Sequence, residues 1–173
     1  MSEFDDLVGQ LDPAMLVVTT VADGERAGCL VGFHAQCSID PPRYAVWLSK
    51  ANHTYRVALH ATHFAVHFLG ADDLPVARLF GTTTGDETDK FAECRWLPGP
   101  DGVPVLEGCP DHFLGVKVTL LDDGSDHVCV VLEPTETNMV GSLRPLRLSD
   151  AKVLDPGHEA QERPQPATER AAD

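Results

Sequence analysis

The sequence predicts a mainly β fold: an antiparallel barrel carrying a few helices. Short β-branched and apolar runs recur at close spacing between residues 15 and 132, with turn chemistry between them. Only two or three stretches carry the three-and-four spacing of a helix. Size is the third observation, since 173 residues, 43% of them hydrophobic, suit one domain with its own core.

Taken in order, residues 2–10 are polar with scattered apolar positions and predict a short helix, which Asp12-Pro13 breaks. Met15 to Val21 is apolar and β-branched, hence a strand. Ala22-Asp23-Gly24-Glu25 carries turn chemistry, and Arg26 to Ala35 starts a second strand, giving a hairpin. Ile39-Asp40-Pro41-Pro42 stops it, because neither proline can donate to a ladder. Tyr44 to Leu48 is a third strand. Asn52 then reads as the cap of a helix over 54–61, with Tyr55, Ala58 and Leu59 on one face. Phe64 to Leu69 is a fourth strand. Asp72 or Asp73 opens a second helix that runs through Phe80 and ends at Gly81. Gly85 to Phe91 is a loop entering a short helix, with Asp86, Glu87 and Asp89 as its acidic edge. Pro98 to Gly102 is a loop. Val103 to Leu106, Phe113 to Leu121 and His127 to Leu132 are strands, the last two joined by a turn over Asp122-Asp123-Gly124-Ser125-Asp126. Residues 155–173 predict a disordered acidic, proline-containing tail, since from Pro156 onward nothing apolar exceeds alanine. Residues 1–154 remain as the folded domain.

Thirteen Lys and Arg against 27 Asp and Glu leave a formal charge of −14 with His neutral. That balance argues against nucleic acid as a partner, which needs a basic face to displace counterions, and against anionic lipid. No run reaches the roughly 18 apolar residues of a membrane span. The acidic start, Met1 to Asp6, does not read as a signal peptide. The five cysteines (29, 37, 94, 109 and 129) are odd in number and contain no CxxC, so free thiols in a cytoplasmic protein are expected.

Chemistry concentrates in few places. At Ser49-Lys50-Ala51-Asn52-His53-Thr54 a strand feeds a helix start, and unpaired N–H groups with the helix dipole favour an anion there. The same residues also read as a plain cap beside a solvated lysine. Gly28 and Gly32 weaken their strand unless a bulge or a close ligand needs the space, and both readings stay open. His127 follows Asp126 at a hairpin and either projects over a barrel mouth or is a surface turn residue. The other histidines are spread out without metal-ligand spacing, and no metal is expected. Cys37, near His34 and Ser38, reads as a buried thiol rather than a nucleophile.

These segments, in their order, resemble the flavin reductase-like, FMN-binding split-barrel family. The resemblance rests on Val17-Val18-Thr19-Thr20, the Gly28-to-Pro42 segment closing in Ser38-Ile39-Asp40-Pro41-Pro42, and the Ser49-to-Thr54 junction. Phe64 to Leu69, Gly85-Asp86-Glu87-Thr88-Asp89-Lys90-Phe91, Gly102 to Leu106 and Ser125-Asp126-His127 continue it, from about residue 12 to 134. It departs where many reductases read G-M-T-A-x-S, since Leu30 and Phe33 stand here in place of the two hydroxyl residues, and where Ser125 replaces a glycine.

The resemblance implies a six-stranded antiparallel Greek-key split barrel that works as a homodimer. It implies bound FMN, with FAD as an option, and NAD(P)H as co-substrate. The reaction implied is hydride transfer to flavin N5, with electrons passed to a monooxygenase or another acceptor. Leu30, Val31, Gly32, Phe33, Gln36, Cys37 and Ser38 would contact the ring. Lys50 and Thr54 would anchor the phosphate, with Ser49, Asn52 and His53 assisting, and Lys90 and Phe91 would lie near the same cleft. His127 would orient the nicotinamide or supply a proton. The alternatives are a non-catalytic FMN-binding electron carrier and a pyridoxine-phosphate oxidase, for which Arg43 and Arg56 are few.

Overall fold

The structure is a computed structural model that describes residues 2–83, 85 and 88–154. The expected tail lies outside the described residues, as do Asp86 and Glu87 of the acidic loop edge. In chain order the elements are α1 (Glu3–Gly9), β1 (Leu16–Ala22), β2 (Glu25–Val31), β3 (His34–Ser38), β4 (Arg43–Ser49), α2 (His53–His60), β5 (His63–Phe68) and α3 (Leu74–Thr82). There follow β6 (Trp96–Pro98), β7 (Pro104–Leu106), β8 (His112–Leu121), β9 (His127–Asn138) and α4 (Leu148–Ala151), with 3-10 turns at Lys90–Ala92 and Pro100–Gly102.

Successive strand side chains face opposite ways, and β1 buries both faces. Leu16 and Val18 enter an apolar cluster with Val46, Leu48, Phe64, Val66, Val130 and Leu132, the inside of the barrel. Val17 and the preceding Met15 enter a second cluster under α3 and α4, with Leu69, Ala77, Phe80 and Leu146. A strand covered on both sides reads as the unbroken apolar run seen in the sequence.

Seven strands form one antiparallel sheet in the order β2-β1-β5-β8-β9-β4-β3. The β1–β2 hairpin turns on Asp23 (φ 51°) and Gly24 (φ 80°), the left-handed pair that a two-residue turn demands. The expected single strand over 26–35 is instead two strands. Pairing of β2 with β1 ends at Val31, and pairing of β3 with β4 begins at His34. The chain thus crosses at Gly32-Phe33 from one edge of the sheet to the other. Counted as one bent strand, β2 and β3 restore the six strands of the split barrel, and the bend is what curls the sheet shut.

Smaller differences have local causes. Gly81 lies inside α3 rather than ending it, and a Cβ there would sit 2.8 Å from Leu30 Cδ2, so the glycine serves close helix–strand packing. Asp73 precedes that helix without capping it, its carboxylate accepting Gly70 N–H at 2.7 Å instead. The 98–102 segment was expected as loop alone, but β6 pairs with β7 and lays a two-stranded flap against β1 and β5. Strand β9 runs on to Asn138, past the Leu132 where the expected strand ended.

Candidate functional site

The bend at Gly32-Phe33 opens the main apolar cavity, about 410 Å³. Its walls bring together seven of the expected site residues: Leu30, Val31, Gly32, Phe33, Ser49, Asn52 and His127. Phe33 is 58% exposed although it lines the cavity, and its carbonyl accepts Trp47 N–H at 2.9 Å. The Phe33 ring meets His127 edge-on, with centroids 5.2 Å apart at 68°. These two rings form one side of the mouth.

His127 is positioned by its hairpin. Asp122 accepts Gly124 N–H at 2.8 Å and Asp123 accepts Ser125 N–H at 2.9 Å. Hydrogen bonds hold both carboxyls below the usual range, from Lys50 first for Asp122 and from Ser125 for Asp123. Ser125 Oγ donates to the His127 carbonyl at 3.0 Å, and Asp126 Oδ1 lies 3.0 Å from His127 Nδ1. A carboxylate at Nδ1 places a proton on that nitrogen and leaves Nε2 for a ligand.

Lys50 belongs to this hairpin more than to the cavity. Its Nζ donates to Asp122 at 2.7 Å and its backbone N–H to Asp126 O at 2.9 Å. Asn52 caps α2 through Oδ1, which accepts Thr54 N–H at 2.9 Å. Thr54 itself is buried, its hydroxyl against the Cys29 sulfur. Burial pushes the Cys29 thiol up, with Thr54 and Lys90 pulling the other way.

Lys90 is an interior strut, 3% exposed, whose Nζ donates to Gly28 O at 3.1 Å and Phe80 O at 3.2 Å. Burial holds its pKa below that of an ordinary lysine. It ties β2 to the carbonyl end of α3, two walls of the cavity. Phe91 packs beside it, its ring 5.7 Å from that of Phe80. Lys90, Phe91 and His53 line a second, more polar cavity of about 370 Å³ at the other end of β2. His53 Nε2 lies 3.1 Å from Glu25 there, and Arg26 lies 3.8 Å from Asp89.

Gln36, Cys37 and Ser38 lie on β3 and line neither cavity. Cys37 is exposed, which corrects the buried-thiol reading. His34 does not serve it as a base, because both His34 nitrogens are engaged at 2.7 Å, Nδ1 with the Tyr44 hydroxyl and Nε2 with Ala14 O. Burial depresses the His34 pKa and raises that of Tyr44 to about 12.

With this geometry stands the comparison with known proteins: residues 9–153 match the flavin reductase like domain. The chain belongs to the flavin reductase-like family. Among its relatives is the reductase subunit HsaB of a flavin-dependent monooxygenase from Mycobacterium tuberculosis, 28% identical over 142 residues, 82% of this chain and 74% of that one. The FMN reductase (NADH) SmoA of Agrobacterium fabrum is 30% identical over 130 residues, 75% of this chain and 72% of that one. The crystal structure of nitrilotriacetate monooxygenase component B from Mycobacterium thermoresistibile superposes with a TM-score of 0.70 at 26% identity, covering 83% of this chain and 78% of that one. In this flavin reductase-like chain Leu30–Phe33 forms one wall of the cavity.

The cavity fits a planar aromatic cofactor. Its volume lies within the range of small-molecule pockets, roughly 300–1,000 Å³, and its walls are mostly apolar. A Cβ on Gly32 would touch only Met15, at 3.6 Å, so packing does not require a glycine there, and the open space is available to a ligand. Sequence reasoning missed Met15, Trp47 and Phe80 as lining residues, as well as Leu148, Lys152 and Leu154 from the C-terminal turn. Alternation along β1 was the signal for Met15; the C-terminal turn had none.

Proposed function

We propose that this chain is an NAD(P)H-dependent flavin oxidoreductase that holds FMN in the 410 Å³ cavity and supplies reduced flavin to a monooxygenase partner. The observation that carries the reading is the apolar slot at the β2–β3 bend, with His127 fixed at its mouth. Bound FMN supplies N5 as a hydride acceptor. The protein's task is positional. Leu30, Val31 and Phe33 exclude water from the ring, and backbone groups at Gly32-Phe33 reach its polar edge. The N-terminus of α2, reached through Ser49 and Asn52, favours the phosphate. Lys50 contributes by pinning the hairpin that carries His127. His127 Nε2 orients the nicotinamide or holds a proton at the mouth.

A homodimer is supported by the outward face of β4 and β9. Paired residues share a face, so Trp47, Cys129 and Leu121 form one outward row, and Ala35, Ala45 and Val131 the next. Trp47 also lines the cavity, so a partner seated on this face would sit beside the flavin. Five free cysteines suit a reducing cytoplasm.

The test is an absorbance spectrum of the purified protein with added FMN, then anaerobic NADH, then NADPH. Bound flavin that bleaches supports the reductase and names its donor. Bound flavin that stays yellow with both nucleotides makes the protein a carrier, and no bound flavin overturns the assignment of the cavity.

A further inference from the structure

We propose that Lys152, on the turn after α4, is the cation that receives a phosphoryl group at the mouth of the flavin cavity. The inference rests on the flavin reading above and replaces Lys50 as the charged partner of the phosphate.

The turn that carries Lys152 is held in place. Asp12 grips it twice: its Oδ1 accepts Ser149 N–H at 2.7 Å and its Oδ2 accepts Ser149 Oγ–H at 2.8 Å. Leu148 N–H donates to Pro13 O at 2.9 Å, and Ala14 forms a β-bridge with Arg147. Ala151 is buried, and Leu154 packs against the second apolar cluster. Lys152 lies between these two anchors and lines the cavity, while its side chain is exposed.

Charge then separates it from every other cation nearby. The cavity is lined by apolar groups, Ser49, Asn52 and His127, with Lys152 its only lysine or arginine among the described residues. Lys50 is spent on Asp122 at 2.7 Å, and Lys90 on two buried carbonyls. Arg26 is shared between Asp89 at 3.8 Å and the Trp96 ring at 5.1 Å. Lys152 makes no ion pair or hydrogen bond with any described residue. Among the described residues, two carboxylates lie close to it in the chain or in space. Asp12 feels its charge but is already bonded to Ser149, and Asp150 accepts Arg147 N–H at 3.0 Å. An ammonium with no ion pair among the described residues, bordering an apolar cavity in a chain of charge −14, attracts an anion. The α2 N-terminus adds a second positive feature to the same cavity through Ser49 and Asn52. Together they suit a phosphoryl group, carried either by the flavin or by the nicotinamide dinucleotide.

The experiment uses the full chain and the variants Lys152→Ala, Lys152→Arg and Lys50→Ala. Fluorescence titrations give Kd for FMN and for riboflavin, which lacks the phosphate, and steady-state rates give KM for NADH and NADPH. Lys152→Ala is expected to weaken the phosphorylated ligand about tenfold or more, the loss of one charge-assisted hydrogen bond. Riboflavin should hold within about twofold, and Lys152→Arg should restore most of the loss. A loss confined to FMN assigns the flavin phosphate. A rise confined to KM assigns the phosphates of the nucleotide. If Lys152→Ala changes neither, or if Lys50→Ala alone narrows the gap between FMN and riboflavin, the inference is wrong. Wild-type protein that binds neither flavin overturns the cavity reading and this inference with it, an outcome separable from the others. The exposed Lys152 side chain makes no core contact, so unfolding of the variants is not expected.

Discussion

His67 makes a sharp test of the packing that frames the cavity. It is fully buried between β1 and β7, with Nδ1–H donating to Val17 O at 3.2 Å and Nε2 accepting Leu106 N–H at 3.0 Å. Both nitrogens are used by a neutral ring. Burial above all depresses its pKa to about 3, with the His112 charge adding to the effect and the Val17 carbonyl opposing it. The His112 ring is 5.6 Å away and is the titratable group that faces it. The unfolded chain takes up a proton near 6.5 and the folded one near 3, so the unfolded state binds more protons between those values. The stability contributed by neutral burial is therefore complete above pH 6.5 and falls as pH drops. The fall is about 1.4 kcal/mol per pH unit, or about 2 kcal/mol between pH 6.5 and 5. His67→Gln retains one donor and one acceptor but cannot titrate. Urea unfolding of both proteins at pH 7, 6 and 5 should show the wild type losing ground to the variant by that amount. A difference that stays constant across the three pH values would refute the depressed pKa of His67.

Four further outcomes follow. Gly28→Ala puts a Cβ 2.8 Å from Phe80 Cε1 and 3.1 Å from Thr19 Cγ2, and should cost about 1–3 kcal/mol in urea unfolding. Gly32→Ala, with only Met15 nearby at 3.6 Å, should change stability by less than about 0.5 kcal/mol yet weaken FMN binding; unchanged affinity would place the ring elsewhere. His127→Ala should slow flavin reduction by NAD(P)H in stopped flow about 100-fold, the low end for a positioned acid–base group, and an unaltered rate would remove it from the chemistry. The buried Cys29 and Cys109 thiols are both pushed up by burial, Cys109 to about 12. Peptide mass spectrometry should find them unlabelled by iodoacetamide in native protein at pH 8 and labelled in urea.

The strands were legible because their signal is local. Alternation and β-branching marked β1, β4, β5 and β8 within a few residues of their ends, and Asn52 marked the start of α2 through its own side-chain bond. What stayed hidden depends on partners far along the chain. Lys50 finds Asp122 72 positions away, which no spacing rule announces. Lys90 reads as a surface residue by type, and only Gly28 O and Phe80 O make its burial tolerable. Thr54 likewise reads as an available hydroxyl, yet α2 turns it inward against Cys29. The C-terminal turn gave no warning, because Ser149-Asp150-Ala151-Lys152 is held by contacts distant in sequence, among them Asp12, 137 positions before Ser149. Strand β6 was masked by the prolines and glycine that follow it.

Closure of the barrel and formation of the cavity are one structural event. Strands β2 and β3 are the two edges of the same sheet, and the chain between them is only Gly32 and Phe33. A strand that ran straight on would keep pairing with β1 and leave β4 without its edge partner. The chain therefore bends, and the bend holds two backbone units out of the β1 ladder while Trp47 N–H secures the Phe33 carbonyl. Side chains on either side of a bend diverge, which opens the space that Met15, Trp47 and Phe80 line. This explains how the segment departs from the family's hydroxyl-bearing pattern at Leu30 and Phe33 while the slot persists. The slot's shape comes from backbone closure, whereas a hydroxyl at Leu30 or Phe33 would add a polar contact to what the slot holds. Loss of those hydroxyls should therefore alter the reduction potential of bound FMN more than its affinity, a separation that potentiometric titration alongside a binding titration measures directly.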